Sequence, residues 1–301
     1  MRAVIQRAIQ APPPNLDNDT CRTTEMWFKL IQPGSFIMGS PSSELGRVSD
    51  DETQRSVSLS KPFYMSVFQV TQRQYELVMG NSGGQNVNLG STRPQLAPYT
   101  TLRGFQENAG TAPTAGQAAS SSFMGRLAAR ISQKADLPTE AQWEYACRAG
   151  TGTALNSGKD LTATSGQCPN LSEVGRYRGN ATDGKGGYSS GSTKVGMYLP
   201  NAWGLYDMHG NAWEFCLDFF RKNGSVMYTY GTDPRGPSQS DYINVLPSDP
   251  YGHWVTSLKV ARGYHDSSGT SSALGYCRSA GRTWAMQNTF LGIRVECDQD
   301  T

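Results

Sequence analysis

The chain has 301 residues with 27 basic and 25 acidic side chains, a formal charge of +2, and a glycine-rich composition with 33 glycines. Its 37% hydrophobic and 10% aromatic content can build a sizeable core and excludes a disordered chain or a coiled coil. No Lys/Arg run has the length of a nucleic-acid or polybasic membrane patch, and no apolar stretch approaches a bilayer span, so neither a nucleic-acid partner nor a membrane span is expected.

Residues 1–25 are mostly polar, contain Pro12-Pro13-Pro14 and read as an N-terminal tail or arm. The N-terminus does not read as a signal peptide, because Gln6 and Arg7 break its apolar run. A single domain is expected over 26–301. Residues 26–39 read as two short strands about the turn pair Pro33-Gly34, 44–55 as a charged loop, and 56–60 and 64–70 as further strands. Thr71-Gln-Arg-Gln74 is a capping box that starts a helix ending near residue 79. Residues 80–118, rich in Gly, Asn, Thr, Pro and Ala, read as a loop insertion. Phe123, Leu127 and Ile131 recur at helical spacing and predict a helix over 120–134. A second capping box, Thr139-Glu-Ala-Gln142, opens a helix carrying Trp143, Tyr145 and Ala146 that stops at Gly150. Residues 151–203 are mostly turns, and beyond them short apolar pieces alternate with loops. The fold class is α+β, with few helices, short strands and much irregular loop.

Chemistry-bearing patterns are few. His265-Asp266-Ser267 has the letters of a triad, but adjacent residues cannot form one, so it reads as a polar loop. The six cysteines at 21, 147, 168, 216, 277 and 297 form no CxxC. They read as buried thiols, with one or two disulfides in an oxidising compartment as the alternative. Between 201 and 218, Asp207, Asn211, Glu214 and Asp218 bring oxygen atoms into a Gly-containing loop. That suits either a hard cation or a tight turn whose polar groups satisfy buried backbone, with Trp203, Tyr206 and Trp213 as core aromatics. From 263 to 292 the chain is dense in Tyr, His, Asp, Ser, Gly, Thr, Trp and Asn, the mixture used by binding loops.

Five ordered motifs carry a resemblance: Phe36-Ile-Met-Gly-Ser40; Phe63-Tyr-Met with Val70-Thr-Gln-Arg-Gln-Tyr75; Leu137-Pro-Thr-Glu-Ala-Gln-Trp-Glu-Tyr-Ala146; Asn201-Ala-Trp-Gly-Leu-Tyr-Asp-Met-His-Gly-Asn-Ala-Trp-Glu214; and Leu291-Gly-Ile-Arg294. Together they resemble the formylglycine-generating-enzyme (sulfatase-modifying factor) domain, which implies that subtype of the C-type lectin fold over about 26–297. The oxidising enzymes of that family hold copper with a cysteine pair in the segment corresponding to 264–276, and no cysteine lies between Gly263 and Tyr276. The resemblance therefore implies the fold without the catalytic centre. It also implies calcium bound through the Asp207 and Glu214 side chains and the Gly210 and Ala212 carbonyls, as a structural ion and not a required cofactor. A Cys147–Cys297 disulfide is implied as well, with Cys168–Cys277 as a second candidate pair.

A second resemblance is to the variable proteins diversified by retroelements, that of a treponeme most of all. Arg262-Gly263, Cys277-Arg-Ser-Ala-Gly-Arg282 and Gly292-Ile-Arg294 match their C-terminal frame, with Tyr264 in place of a second Gly and Ile293 in place of Phe. It implies a non-catalytic protein whose variable region, about 262–294, displays a diversified face toward a protein or other macromolecular ligand. The implied contact residues are Tyr264, His265, Asp266, Ser267, Tyr276, Thr283, Trp284, Gln287 and Phe290. Cys277, Arg278 and Arg282 would anchor that face, with Leu291 and Ile293 in the core. Display at the cell surface or outside the cell, as a lipoprotein, follows from the same resemblance. The alternatives are an oxidoreductase of the formylglycine-generating type with an altered active site, and a sugar-binding lectin. The lectin triplets Glu-Pro-Asn and Gln-Pro-Asp do not occur in the chain.

Overall fold

The computed structural model describes residues 1–6, 14–48, 52–83, 90–104, 114–180, 191–220, 231–236, 258–264 and 273–298. In chain order the elements are β1 (Arg2–Gln6), α1 (Thr20–Thr23), β2 (Glu25–Ile31), β3 (Gly34–Met38), β4 (Arg55–Leu59), β5 (Phe63–Ser66), α2 (Gln72–Met79), β6 (Ala97–Pro98), α3 (Tyr99–Arg103), α4 (Phe123–Ile131), β7 (Ala135–Asp136), α5 (Glu140–Arg148), α6 (Pro169–Val174), β8 (Glu214–Phe219), β9 (Gly231–Thr232), β10 (Lys259–Arg262), β11 (Thr283–Ala285), β12 (Phe290–Leu291) and β13 (Glu296–Asp298). A five-stranded sheet runs β1-β2-β5-β13-β7, and smaller sheets run β11-β10-β8, β3-β4-β9 and β12-β6. The α+β class with short strands is as the sequence reads.

Both capping boxes form. Gln74 N donates to Thr71 Oγ1 at 3.3 Å while Thr71 N donates to Gln74 Oε1 at 3.0 Å. Gln142 N and Thr139 N make the same reciprocal pair at 3.2 and 2.8 Å. The helix expected over 120–134 is shorter, because Ser122 caps it through Gly125 N and Ser132 turns left-handed at φ 54°.

Two expectations change. Residues 2–6 are not a tail or arm: β1 pairs in parallel with β2, Arg2 against Glu25, and closes one edge of the five-stranded sheet. A parallel edge strand carries no local turn signal, so its partner is invisible in sequence. The insertion expected over 80–118 contains β6 and α3, and Tyr99 and Leu102 of α3 are fully buried.

The sheet containing β8 and β10 is buried on both faces. Phe215, Leu217 and Ala261 join a cluster with Phe28, Tyr75, Phe123, Leu291 and Ile293. Their alternates Cys216 and Val260 join another with Val57, Met65, Trp143, Cys147 and Leu205. No helix among the described residues is long and apolar enough to cross a membrane.

The implied disulfides do not form; all six cysteines are buried thiols. Cys147 and Cys297 belong to different core clusters. Cys168 and Cys277 share a third, yet neither is bridged. Burial pushes the Cys147 thiol up to about 12, so it behaves as a small apolar side chain. Denaturation without reductant should therefore allow alkylation of all six cysteines, read as six adducts by intact mass; fewer adducts would reveal a bridge.

Candidate functional site

The C-terminal part of the chain is fixed by four arginines that reach back to carboxylates far earlier in sequence. Arg262, at the end of β10, donates through Nη2 to Glu140 Oε1 at 2.6 Å and to Glu144 Oε2 at 2.9 Å. Arg282 grips both oxygens of Glu140, at 2.7 and 2.9 Å. Arg278 takes Glu52 at 2.9 and 2.7 Å and also pairs with Glu44. Arg294 takes Glu214 at 2.9 and 2.8 Å. All four are buried, as the carboxylates of Glu52, Glu140, Glu144 and Glu214 are. Glu140 and Glu144 lie one turn apart on α5, so a single helix face serves two pairings. Arg278 and Arg282, the expected anchors, are thus buried in ion pairs, and Arg262 and Arg294 are held in the same way.

His209 contributes another tie. Its Nδ1 donates to the Cys277 carbonyl at 2.6 Å while Nε2 accepts from Asn156 N at 2.9 Å. Burial pushes its ionisation down to about 4, so the ring stays neutral and this tautomer links two loops. Sequence reasoning passed over it because a lone histidine carries no spacing signal.

The expected contact residues separate into three groups. Trp284 is exposed at 47%, with Thr283, Tyr276 and Phe290 half-buried. Met286, at 44%, is a further exposed residue that composition alone did not single out, and Asn288 and Thr289 are also exposed. Tyr264 and Gln287 are not surface contacts: both are buried, at 5% and 3%. Tyr264 packs edge-on to Trp213 at 5.1 Å between ring centroids and lies 6.0 Å from Tyr276. Its φ of 37° follows Gly263 at 87°, which explains why this position matches a glycine in the resembling frame. His265, Asp266 and Ser267 lie outside the described residues.

The positions expected to hold calcium do converge, although on a nitrogen atom. Gln69 Nε2 lies 2.8 Å from Glu214 Oε1, 3.0 Å from the Ala212 carbonyl, 3.2 Å from Gly210 and 3.5 Å from Asp207. The Asp207 carboxylate turns away to accept from Gly196 N at 2.7 Å. The Glu214 charge is matched by Arg294, and its Oε2 also accepts from Trp143 Nε1 at 2.7 Å. Arranged this way, the residues do not fit a cation, which needs oxygens converging on an open centre. The loop itself is tightly built: a Cβ at Gly210, where φ is 137°, would lie 2.0 Å from the Arg176 carbonyl oxygen. No group of three His, Cys, Asp or Glu able to hold a metal occurs among the described residues.

Burial alone would raise the Glu140 ionisation, yet Arg282, Arg262 and Arg55 outweigh it and hold Glu140 down at about 2, against 4.5 for the unperturbed group. The folded value lies below the unfolded one, so this contribution is present above pH 4.5 and is lost as pH falls toward 2, about 3 kcal/mol in all. Glu140→Gln should cost about 3–5 kcal/mol at pH 7 by leaving two arginines short of charge. By pH 3 the gap to wild type should narrow in urea titrations; a gap that stays constant would mean the pairing carries no such energy.

Residues 15–298 match the Sulfatase-modifying factor enzyme 1-like domain. The formylglycine-generating enzyme of Thermomonospora curvata is 38% identical over 104 residues, 34% of this chain and 33% of that protein, so the aligned part spans about a third of that relative. Among solved structures, PvdO from Pseudomonas aeruginosa matches with a TM-score of 0.62 at 21% identity, covering 90% of this chain and 94% of that one. Treponema denticola variable protein 1 matches with a TM-score of 0.59 at 19% identity, again covering 90% and 94%. At these identities the two structures establish a shared fold, with the mixed architecture seen here. The chain belongs to the sulfatase-modifying factor enzyme 1-like domain family.

Proposed function

We propose that the chain is a non-catalytic binding protein that displays a diversified face on this scaffold, its ligand a protein or another macromolecule. One observation supports this reading above the others. The arginines at 262, 278, 282 and 294 are buried and paired, while Trp284 and Met286, between the last two, are exposed. Residues whose side chains face outward from a fixed backbone can be exchanged without unfolding the protein, and a preorganised backbone lowers the ordering cost of binding. Exposed aromatic and Met side chains supply contact area suited to hot spots.

The enzymatic alternative, a formylglycine-generating oxidoreductase, would need a thiolate pair, and the chain has no cysteine between Gly263 and Tyr276. A diversified binding role also suits display at the cell surface as a lipoprotein.

A display library randomised at Thr283, Trp284, Met286, Asn288 and Thr289 tests the proposal. Most members should keep wild-type protease resistance, and selection on immobilised lysozyme should return binders. Loss of protease resistance across the library would refute it. So would copper-dependent oxygen uptake by the wild-type chain with a cysteine-containing peptide, which would place it among the oxidases.

A further inference from the structure

We infer that the Gln69 side-chain amide does the work of a cation in the loop 207–214, so that this loop folds without calcium. Gln69 is fully buried, and its Nε2 stands among three inward-turned carbonyls and one carboxylate oxygen. An amide nitrogen has two hydrogens, and here they are shared among four acceptors, so partial positive charge gathers the loop as a metal would.

Three features make the nitrogen-inward arrangement self-consistent. First, rotating the amide would set Gln69 Oε1 against four oxygens with no proton between them, a repulsion only a cation could relieve. Second, the charges already balance: Glu214 is the one carboxylate directed at the nitrogen, and Arg294 grips that carboxylate with Nε and Nη2. A divalent ion would enter beside a guanidinium, with only one further carboxylate nearby and that one turned away. Third, the other nearby carboxylate, Asp207, is committed elsewhere through Gly196 N. Among the described residues no donor reaches Gln69 Oε1, so there the amide is held by its nitrogen side.

The loop matters beyond itself. Glu214 opens β8 and pairs in a bridge with Gly292, and Trp213 O accepts from Gly292 N, so the Gln69 amide sits at the root of the C-terminal frame.

Thermal unfolding of the full chain tests this, first after EDTA treatment and then with millimolar calcium chloride. The wild-type midpoint should agree within about 1 °C between the two conditions. Gln69→Glu, which replaces the donor by a second carboxylate facing four oxygens, should melt several degrees below wild type in EDTA. Failure of that variant to fold in EDTA would be the same result in stronger form. A wild-type midpoint that drops in EDTA and returns with calcium would overturn the inference. A Gln69→Glu midpoint equal to wild type in EDTA would overturn it as well.

Discussion

The structure depends on a set of buried arginine–carboxylate pairs that tie the end of the chain to its earlier elements. A guanidinium is always charged and presents a rigid fork of donors, so each pairing fixes an orientation as well as a distance. Arg262 and Arg282 converge on Glu140, whose helix α5 is itself positioned by the Thr139 cap and by Trp143 in the core. Arg278 fixes the loop carrying Glu44 and Glu52, and Arg294 locks β8 to the segment before β13. Desolvation offsets much of the attraction in such pairs, so their main effect is on which arrangement forms. Any register shift of the C-terminal segment would leave several charges buried and unmatched.

That constraint separates scaffold from surface within a few residues. Along 283–291, residues 284, 286 and 288 face solvent while Ala285, Gln287 and Leu291 are buried. The buried set is held: Ala285 faces Lys259 in the β10–β11 ladder, the Gln287 carbonyl accepts from Thr100 N, and Leu291 pairs with Ala97. In the outward set, Trp284 keeps its backbone opposite Val260 in the same ladder and the Met286 carbonyl accepts from Thr289 N, while both side chains are exposed. Tyr264 shows the opposite compromise, keeping a left-handed backbone at φ 37° that glycine would adopt at lower cost, in exchange for packing against Trp213.

Much of this was legible in the sequence. The capping boxes announced α2 and α5, and the motif order pointed to the fold. The anchoring roles of Arg278 and Arg282 were readable from the frame they belong to. Their partners were not, because Glu52 and Glu140 lie over a hundred residues away and nothing local marks a carboxylate as buried. The resemblance implies Gln287 as a contact, whereas the period-two alternation around Trp284 points it inward. The N-terminal strand hid behind polar residues and a proline triplet, since a parallel pairing leaves no hairpin to recognise. Gln69 gave no signal at all: a single glutamine gains meaning only when the loop 207–214 folds around it. The disulfides came from resemblance alone and did not survive the packing, which distributes Cys147 and Cys297 between separate clusters.

Amide hydrogen exchange over 283–295, followed by mass spectrometry, tests the central claim most directly. With the pairs intact, the amides of Ala285, Leu291 and Val295 should be strongly protected, and Trp284→Ala with Met286→Ala should leave that protection unchanged, whereas Arg282→Met should abolish it. Rapid exchange throughout this segment in the wild-type chain, or equal loss of protection in both kinds of variant, would show that no fixed frame underlies the exposed face.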